Sequence, residues 1–260
     1  MRITVVTPTL NQSRFIERTL RSVLDQRGAF QLEYLVQDGG STDGTLELLR
    51  RHQGELDWRS EPDTGQADAV NKGLRRATGD VVGWVNSDDL LRPGALERVA
   101  RAFQEHPQAV WLHGGCDIVD EDDRPIRRWI ARYKEYRCRR YSRRSLLLEN
   151  FVSQMTVFWR RRAMEAAGYL DPALHLSFDY EYWLRLARLG DPLYLPEPLA
   201  AFRWYRTSKS GANFARQMLG EDLEVFRRHA PPQDRWLHVR KRLRSAEIVA
   251  AYGLLRLLGR

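Results

Sequence analysis

Cysteine is nearly missing from this chain. Among 260 residues there are two, Cys116 and Cys138, with no CxxC or Cys/His spacing around them. That argues against a disulfide framework and against structural zinc, and it suits a reducing, cytoplasmic compartment. Long hydrophobic runs are missing too: no stretch approaches the roughly 18–20 uninterrupted apolar residues of a membrane span. The opening MRITVVTPTL enters a strand-like run directly, without an apolar region or small-residue cleavage site, so no secretory leader is expected. The turn after that run reads TPTLNQSRF. It contains no GxGxxG, which argues against a dinucleotide-dependent oxidoreductase. Zinc-finger spacing, an RRM-type aromatic motif and a helix-turn-helix pattern are likewise absent. Nucleic acid is therefore not expected as a partner, although a nucleic-acid-binding protein is the alternative that charge alone suggests. Repeats and low-complexity linkers do not occur.

What the chain has in excess is positive charge: 42 Lys and Arg against 34 Asp and Glu, a formal +8. Such a balance attracts acidic ligands without choosing among them. Hydrophobic residues make up 43%, enough for one sizeable core, and the length fits one large domain or one domain with an appendage.

Strand and helix signals alternate through residues 1–115. ITVVTP (3–8) is a β-branched run ended by proline. FIERTLRSVLDQ (15–26) puts Phe15, Thr19, Leu20, Val23 and Leu24 on one helical face. LEYLVQD (32–38) is a second strand, and STDGTLELLRRH (41–52) starts with capping residues before a helix. A short strand near 56–60, a helix over 64–78, a strand over 80–85, a helix from Pro93 and a strand over 109–113 follow. This alternation predicts an open, mainly parallel α/β sheet, in which ligands bind beyond the carboxyl ends of the strands. Beyond 115 the pattern loosens: strand at 154–160, a short helix from 161, helix over 178–190, an extended Pro-broken stretch over 192–205, and a basic helical tail from about 213.

Polar clusters fall where the strands end: Thr7-Pro8-Thr9-Leu10-Asn11, Asp38-Gly39-Gly40-Ser41 and Asn86-Ser87-Asp88-Asp89. Acids after a strand often cap the next helix. Two adjacent carboxylates at a sheet's carboxyl edge also offer a partial cage for a hard cation, Mg²⁺ or Mn²⁺, that substrate phosphate and water would complete. Asp38, ending an apolar strand, would suit the imide N–H of a uracil or thymine, or the amino group of another base. Lys72 is either a solvated lysine or a phosphate ligand. Gly73, inside a helix at a cost of roughly 1 kcal/mol against alanine, points to close packing or close ligand approach.

In order and spacing, VVTPTLNQ, VQDGGSTDGT, SEPDTGQADAVNKGLRRATGD, GWVNSDDLLRPGAL and FDYEYWLRL resemble the inverting family 2 glycosyltransferases of GT-A fold, over about residues 2–205. The resemblance implies a catalytic domain over 1–210, with a nucleotide-binding half (1–115) and an acceptor half (116–210), followed by basic amphipathic helices over 211–260. It implies a nucleotide-sugar donor, UDP- or dTDP-linked by family habit. Thr7, Pro8, Thr9, Asn11, Asp38, Gly40 and Gly65 would line the nucleotide pocket, with Asn71 and Lys72 by the ribose and diphosphate. Asp88 would serve both nucleotide and metal, Asp89 the metal, and Asp179 would be the catalytic base. Two positions depart from the family pattern: Asn86 stands where the acidic motif begins, and Tyr205 where relatives often carry histidine. A catalytically silent relative is the alternative within the family.

Glu181 is placed to pair with Arg185 at i,i+4. Phe178, Tyr180, Tyr182 and Trp183 read as core, with a face presented to acceptor sugar as the alternative. Residues 124–144 hold ten Lys and Arg against one Glu, a solvated face by default. In the tail, Leu243, Ile248, Ala251 and Leu255 recur at helical spacing among arginines. That pattern fits an interfacial helix on an anionic inner leaflet, a packing helix or a dimer contact. A lipid-linked or glycan acceptor in surface polysaccharide synthesis would suit the first.

Overall fold

A computed structural model describes residues 1–209 and 217–257. The start of the tail near 213 lies outside the described residues, as does the side chain of Leu255.

Ile3, Val5 and Val6 are wholly buried in β1 (Arg2–Thr9), and Val36 is equally buried in β2 (Gln31–Asp38). β-Branched side chains fill both faces of these strands, as a sheet covered by helices on each side requires. The remaining strands are β3 (Asp57–Ser60), β4 (Val81–Trp84), β5 (Leu90–Leu91), β6 (Trp111–Val119), β7 (Phe158–Arg160) and β8 (Leu193–Arg203). They form one sheet in the order β3-β2-β1-β4-β7-β6-β8-β5. β7 pairs antiparallel with β4 and β6, and β5 antiparallel with β8; the other pairings are parallel. Six strands therefore run one way, and their carboxyl ends, Thr9, Asp38, Ser60, Trp84, Val119 and Arg203, fall along one edge.

Helices α1 (Ile16–Leu24), α2 (Thr45–Arg51), α3 (Gln66–Arg76) and α4 (Ala95–Glu105) connect the first strands. The buried face of α1 is Ile16, Thr19, Leu20 and Val23, while Leu24 is only half-buried. Gly73 of α3 packs directly on β1: a Cβ there would stand 2.4 Å from Val6 Cγ1. Close packing, and not ligand approach, explains this mid-helix glycine.

In the second half, α5 (Arg128–Arg139) and α6 (Arg143–Leu148) precede α7 (Ala163–Ala167) and α8 (Phe178–Leu189). α8 is fixed to the sheet by tryptophans: Trp183 stacks on Trp84 at 5.3 Å and on Trp111 at 6.2 Å. Such pairs each contribute about 0.5–1.5 kcal/mol beyond the area they bury. Tyr180, Tyr182 and Trp183 are fully buried and Phe178 nearly so, so these aromatics are core.

Two further helices, Asp222–His229 and Arg235–Leu257, close the chain. Val225, Phe226 and Leu237 join the core that contains α8. The buried line of the last helix is Leu237, Lys241 and Ser245. Leu243 is 57% exposed, Ala251 is exposed and Ile248 half-buried, so the apolar face read from the tail does not pack inward as a unit.

Candidate active site

The turn after β4 is held by tertiary bonds. Thr19 Oγ1 donates to the carbonyls of Ser87 (2.9 Å) and Asp89 (2.8 Å). Asp89 is fully buried: one carboxylate oxygen accepts the Arg203 backbone N–H (2.9 Å), the other the Asn86 amide (3.1 Å). Burial, then the neighbouring charge of Asp88, pushes its pKa well up. Each oxygen of Asp89 thus holds one donor of the turn, a structural task beside the metal ligation read from the sequence.

Asp88 is half-buried and its position is different. Oδ2 accepts the Tyr205 hydroxyl at 2.9 Å, and Oδ1 has no partner from another residue among those described. Burial raises its pKa, while the Tyr205 hydroxyl and the Arg203 charge oppose the rise. Arg203, itself fully buried, donates to the Asp88 carbonyl at 2.8 Å and to the Asp120 carbonyl at 3.1 Å, and pairs with Asp123. A carboxylate with one open oxygen at a strand end fits a hard cation that takes one or two protein oxygens and completes its shell with phosphate and water.

The nucleotide residues gather at the ends of β1 and β2. Thr7 Oγ1 hydrogen-bonds the Tyr34 hydroxyl at 3.0 Å, and Pro8 is buried beside it. The buried Thr9 hydroxyl has no partner among the described residues. Asn11 adopts a left-handed conformation at φ 52; its Oδ1 accepts the Thr42 N–H at 2.8 Å and its own N–H reaches Ser41 Oγ at 2.7 Å. Asp38 is fully buried and accepts from Gly40 N, Ser41 N and the hydroxyls of Ser41 and Ser60 at 2.5–3.0 Å. Four donors match the acceptor capacity of a carboxylate, so in this conformation Asp38 organises the loop. Gly40 (φ +94) and Gly65 (φ +136) hold turns that side chains resist. Asp63 accepts the Gly65 N–H at 2.9 Å, and the exposed Leu10 lies close to Gly39.

Asn71 and Lys72 are engaged elsewhere. The buried Asn71 amide exchanges two 2.9 Å bonds with the Leu170 backbone, joining α3 to the segment before α8. Lys72 Nζ donates to the Pro62 carbonyl at 2.6 Å and lies 3.7 Å from both Glu61 and Asp68.

Asp179 sits in the first turn of α8, where a helix dipole favours negative charge. Its carboxylate accepts the Tyr180 N–H at 2.6 Å. Burial raises its pKa to about 6, helped by the charge of Asp222, against the pull of the Tyr180 N–H, the Lys134 charge and an Asn150 hydrogen bond. The residues before it are clamped from downstream: Glu221 accepts the N–H groups of His175 (3.2 Å), Leu176 (2.7 Å) and Ser177 (2.9 Å). Ser177 Oγ donates to Asp222 at 2.5 Å.

Two chains of contact join Asp179 to the Asp88 turn. Phe178 stacks on Trp84 at 6.3 Å, two residues before Asn86. Lys209, 5.3 Å from the Phe178 ring and within the field of Asp179, donates to Gln66 Oε1 at 2.9 Å. Gln66 in turn donates to Asn86 Oδ1 at 2.8 Å. Contacts thus run from the Asp179 turn to the Asp88 turn by both routes.

The model of the family described as Glycosyl transferase family 2 matches residues 4–166. The chain belongs to that family. It is 29% identical over 215 residues to the putative teichuronic acid biosynthesis glycosyltransferase TuaG of Bacillus subtilis, covering 80% of this chain and 81% of that one. It is 38% identical over 195 residues to an uncharacterized glycosyltransferase of Mycobacterium tuberculosis, covering 74% and 71%. The chain spans 66% of a further M. tuberculosis relative and 40% of a Nostoc one. Among solved structures, residues 1–349 of S. aureus TarS in complex with UDP-GlcNAc superpose with a TM-score of 0.66 at 17% identity, over 96% of this chain and 72% of that. The mannosyltransferase PcManGT of Pyrobaculum calidifontis, in complex with GDP-Man and Mn²⁺, gives 0.63 at 19%, over 98% and 80%. The fold of this family 2 chain is therefore GT-A.

Arg203, Gln66, Lys209 and Glu221 are site residues that sequence reasoning missed. Arg203 had a visible signal, an arginine closing the apolar run Leu199–Phe202; the others act through contacts far apart in sequence.

Proposed function

We propose that this chain transfers a sugar, with inversion, from a nucleoside-diphosphate donor to a hydroxyl of a glycan or lipid-linked acceptor in polysaccharide synthesis. The observation that carries the proposal is the pair of contact routes, Phe178–Trp84 and Lys209–Gln66–Asn86, that support a single cleft with Asp88 and its open oxygen on one side and Asp179, its pKa near neutrality, on the other. Support also comes from the fold neighbours, solved with UDP-GlcNAc or with GDP-Man and Mn²⁺.

Asp88 would hold a divalent cation, Mn²⁺ or Mg²⁺, together with the donor's diphosphate. When bound, such an ion supplies Lewis-acid stabilisation of the leaving group. Asp89 and Arg203 keep the Asp88 backbone in place. Thr9 and Asn11, with the Asp38–Gly40 and Gly65 turns, shape the nucleotide side, and the unpaired Thr9 hydroxyl is the group there most in need of a partner. Asp179 takes the proton from the acceptor hydroxyl as that oxygen attacks the anomeric carbon; a base with pKa near the working pH does this best. Single displacement needs no protein nucleophile. The charge of Lys209, beside Gln66 and Phe178, serves the same cleft.

The cytoplasmic face of the membrane is the proposed location. No helix of the described residues is long and apolar enough to cross a bilayer. Trp236, Val239 and Leu243 nevertheless form an exposed stripe, 64%, 45% and 57% accessible, at i, i+3 and i+7 and flanked by exposed Arg235, Arg240 and Arg242. Apolar anchors beside arginines match an anionic leaflet. Sedimentation with phosphatidylglycerol vesicles, lost in Trp236→Ser/Leu243→Ser, checks this.

The deciding experiment is a thermal-shift panel of UDP-, dTDP- and GDP-sugars with and without Mn²⁺. One nucleotide class should raise the melting temperature only with metal, and Asp88→Ala should abolish the rise. Metal-independent stabilisation, or none with any donor, would end the proposal.

A further inference from the structure

Beside the cleft, on the side of α5, lies a second cavity of about 350 Å³. β6, α5 and β8 enclose it where the β6–β8 register slips around Gly114, Gly115 and Cys116. Three of its wall residues, Arg128, Arg132 and Lys134, are cations without an ion pair among the described residues. The two wall acids are each neutralised from outside the trio: Asp117 pairs with Arg92 at 2.6 Å and Glu135 with Arg139 at 2.8 Å. The cavity therefore keeps three uncompensated positive charges. Arginines left unpaired on a concave wall suit an oxyanion, which a guanidinium fork binds in bidentate fashion. Tyr194 adds an aromatic wall.

The cavity also touches the surroundings of the base. Lys134 Nζ donates to Ser153 Oγ at 3.3 Å. The Lys134 charge acts on Asp179, and Asn150, three residues before Ser153, lowers the pKa of the same carboxyl.

We propose that this cavity is the acceptor subsite and that it selects an acceptor bearing an oxyanion, a phosphate or a carboxylate, seated on Arg128 and Arg132. The inference rests on the glycosyl-transfer reading of the adjoining cleft, which it deepens by naming the charge of the acceptor. Lys134 couples the subsite to the base: an anion bound there would meet the cation that now lowers the pKa of Asp179.

The test is a ligand-observed NMR titration of the full chain, with UDP and Mn²⁺ present, using glucose 6-phosphate, methyl β-glucuronide and the neutral methyl β-glucoside. At least one anionic probe should bind about tenfold more tightly than the neutral one, the scale of one charge-assisted hydrogen bond. The advantage should disappear in Arg128→Gln/Arg132→Gln, whose exposed positions leave the melting temperature unchanged. Preference for the phosphate or for the carboxylate supports the subsite and names its source of charge. Equal binding of all three probes, no binding of either anion, or an anionic preference that survives the double substitution would overturn it. Binding of UDP, dTDP and GDP is read in parallel samples: a chain that ignores all three overturns the proposed function, while the anion titration still decides the cavity.

Discussion

Replacing Asp179 by asparagine should abolish turnover and make the protein more stable. The carboxyl is displaced from 3.8 to about 6, chiefly by burial and secondarily by the charge of Asp222. The folded state thus holds its proton more tightly than the unfolded one. Stability from this group is complete below about pH 4 and is lost as pH rises through about 6. At pH 7.5 the ionised carboxylate costs the fold at most ~3 kcal/mol, from ~1.36 kcal/mol per pKa unit; residual solvent contact reduces this to ~1–2 kcal/mol. Asparagine keeps an oxygen for the Tyr180 N–H and carries no charge. Its melting temperature should exceed that of the wild type by ~2–8 °C at pH 7.5, and the gain should vanish near pH 4. Nucleoside-diphosphate release from whichever donor binds should fall at least ~10²-fold, the usual contribution of a general base. In the wild type, kcat/KM should decline tenfold per pH unit below about 6. An asparagine variant that melts no higher than wild type at pH 7.5, or that keeps a tenth of the rate, would refute the reasoning.

The two adjacent aspartates should separate by phenotype. Asp88→Ala should lose metal-dependent donor binding in calorimetry with the fold intact, whereas Asp89→Ala should lower stability by ~2–4 kcal/mol in urea titrations, since it strands the buried Arg203 N–H and the Asn86 amide. Gly73→Ala forces a methyl to 2.4 Å from Val6 Cγ1 and should cost ~1–3 kcal/mol by overpacking, read as a lower denaturation midpoint despite alanine's better helix propensity. Glu221→Ala should leave donor binding unchanged and reduce kcat, because three N–H groups ahead of α8 lose their acceptor; equal loss of donor affinity would count against a positioning role.

The alternation of strands and helices over the first 115 residues was legible because each element there carries its own period. β5 was not, since Leu90–Leu91 is a strand only through its pairing with β8. α5 escaped for a different reason: only Ile130 and Cys138 of its twelve residues are buried, so there is almost no apolar stripe to read. Within the site, local pairs were readable, and Glu181–Arg185 forms at 2.6 Å. Its burial, and its second partner His229 at 3.0 Å, depend on a helix 48 residues away. The proposed division of labour between Asp88 and Asp89 had no sequence signal, because it rests on Arg203, 114 residues downstream of Asp89. Asn71 likewise takes its role from Leu170, 99 residues on.

The family match ends at residue 166, yet the helix bearing Asp179 begins later and is braced by Glu221 and Asp222, with Lys241 buried nearby. Trimming the protein to its recognisable homology block would leave the proposed base behind, and trimming at the last strand would leave it unbraced. A different tail grafted after the last strand would bring its own setting for the angle and acidity of Asp179.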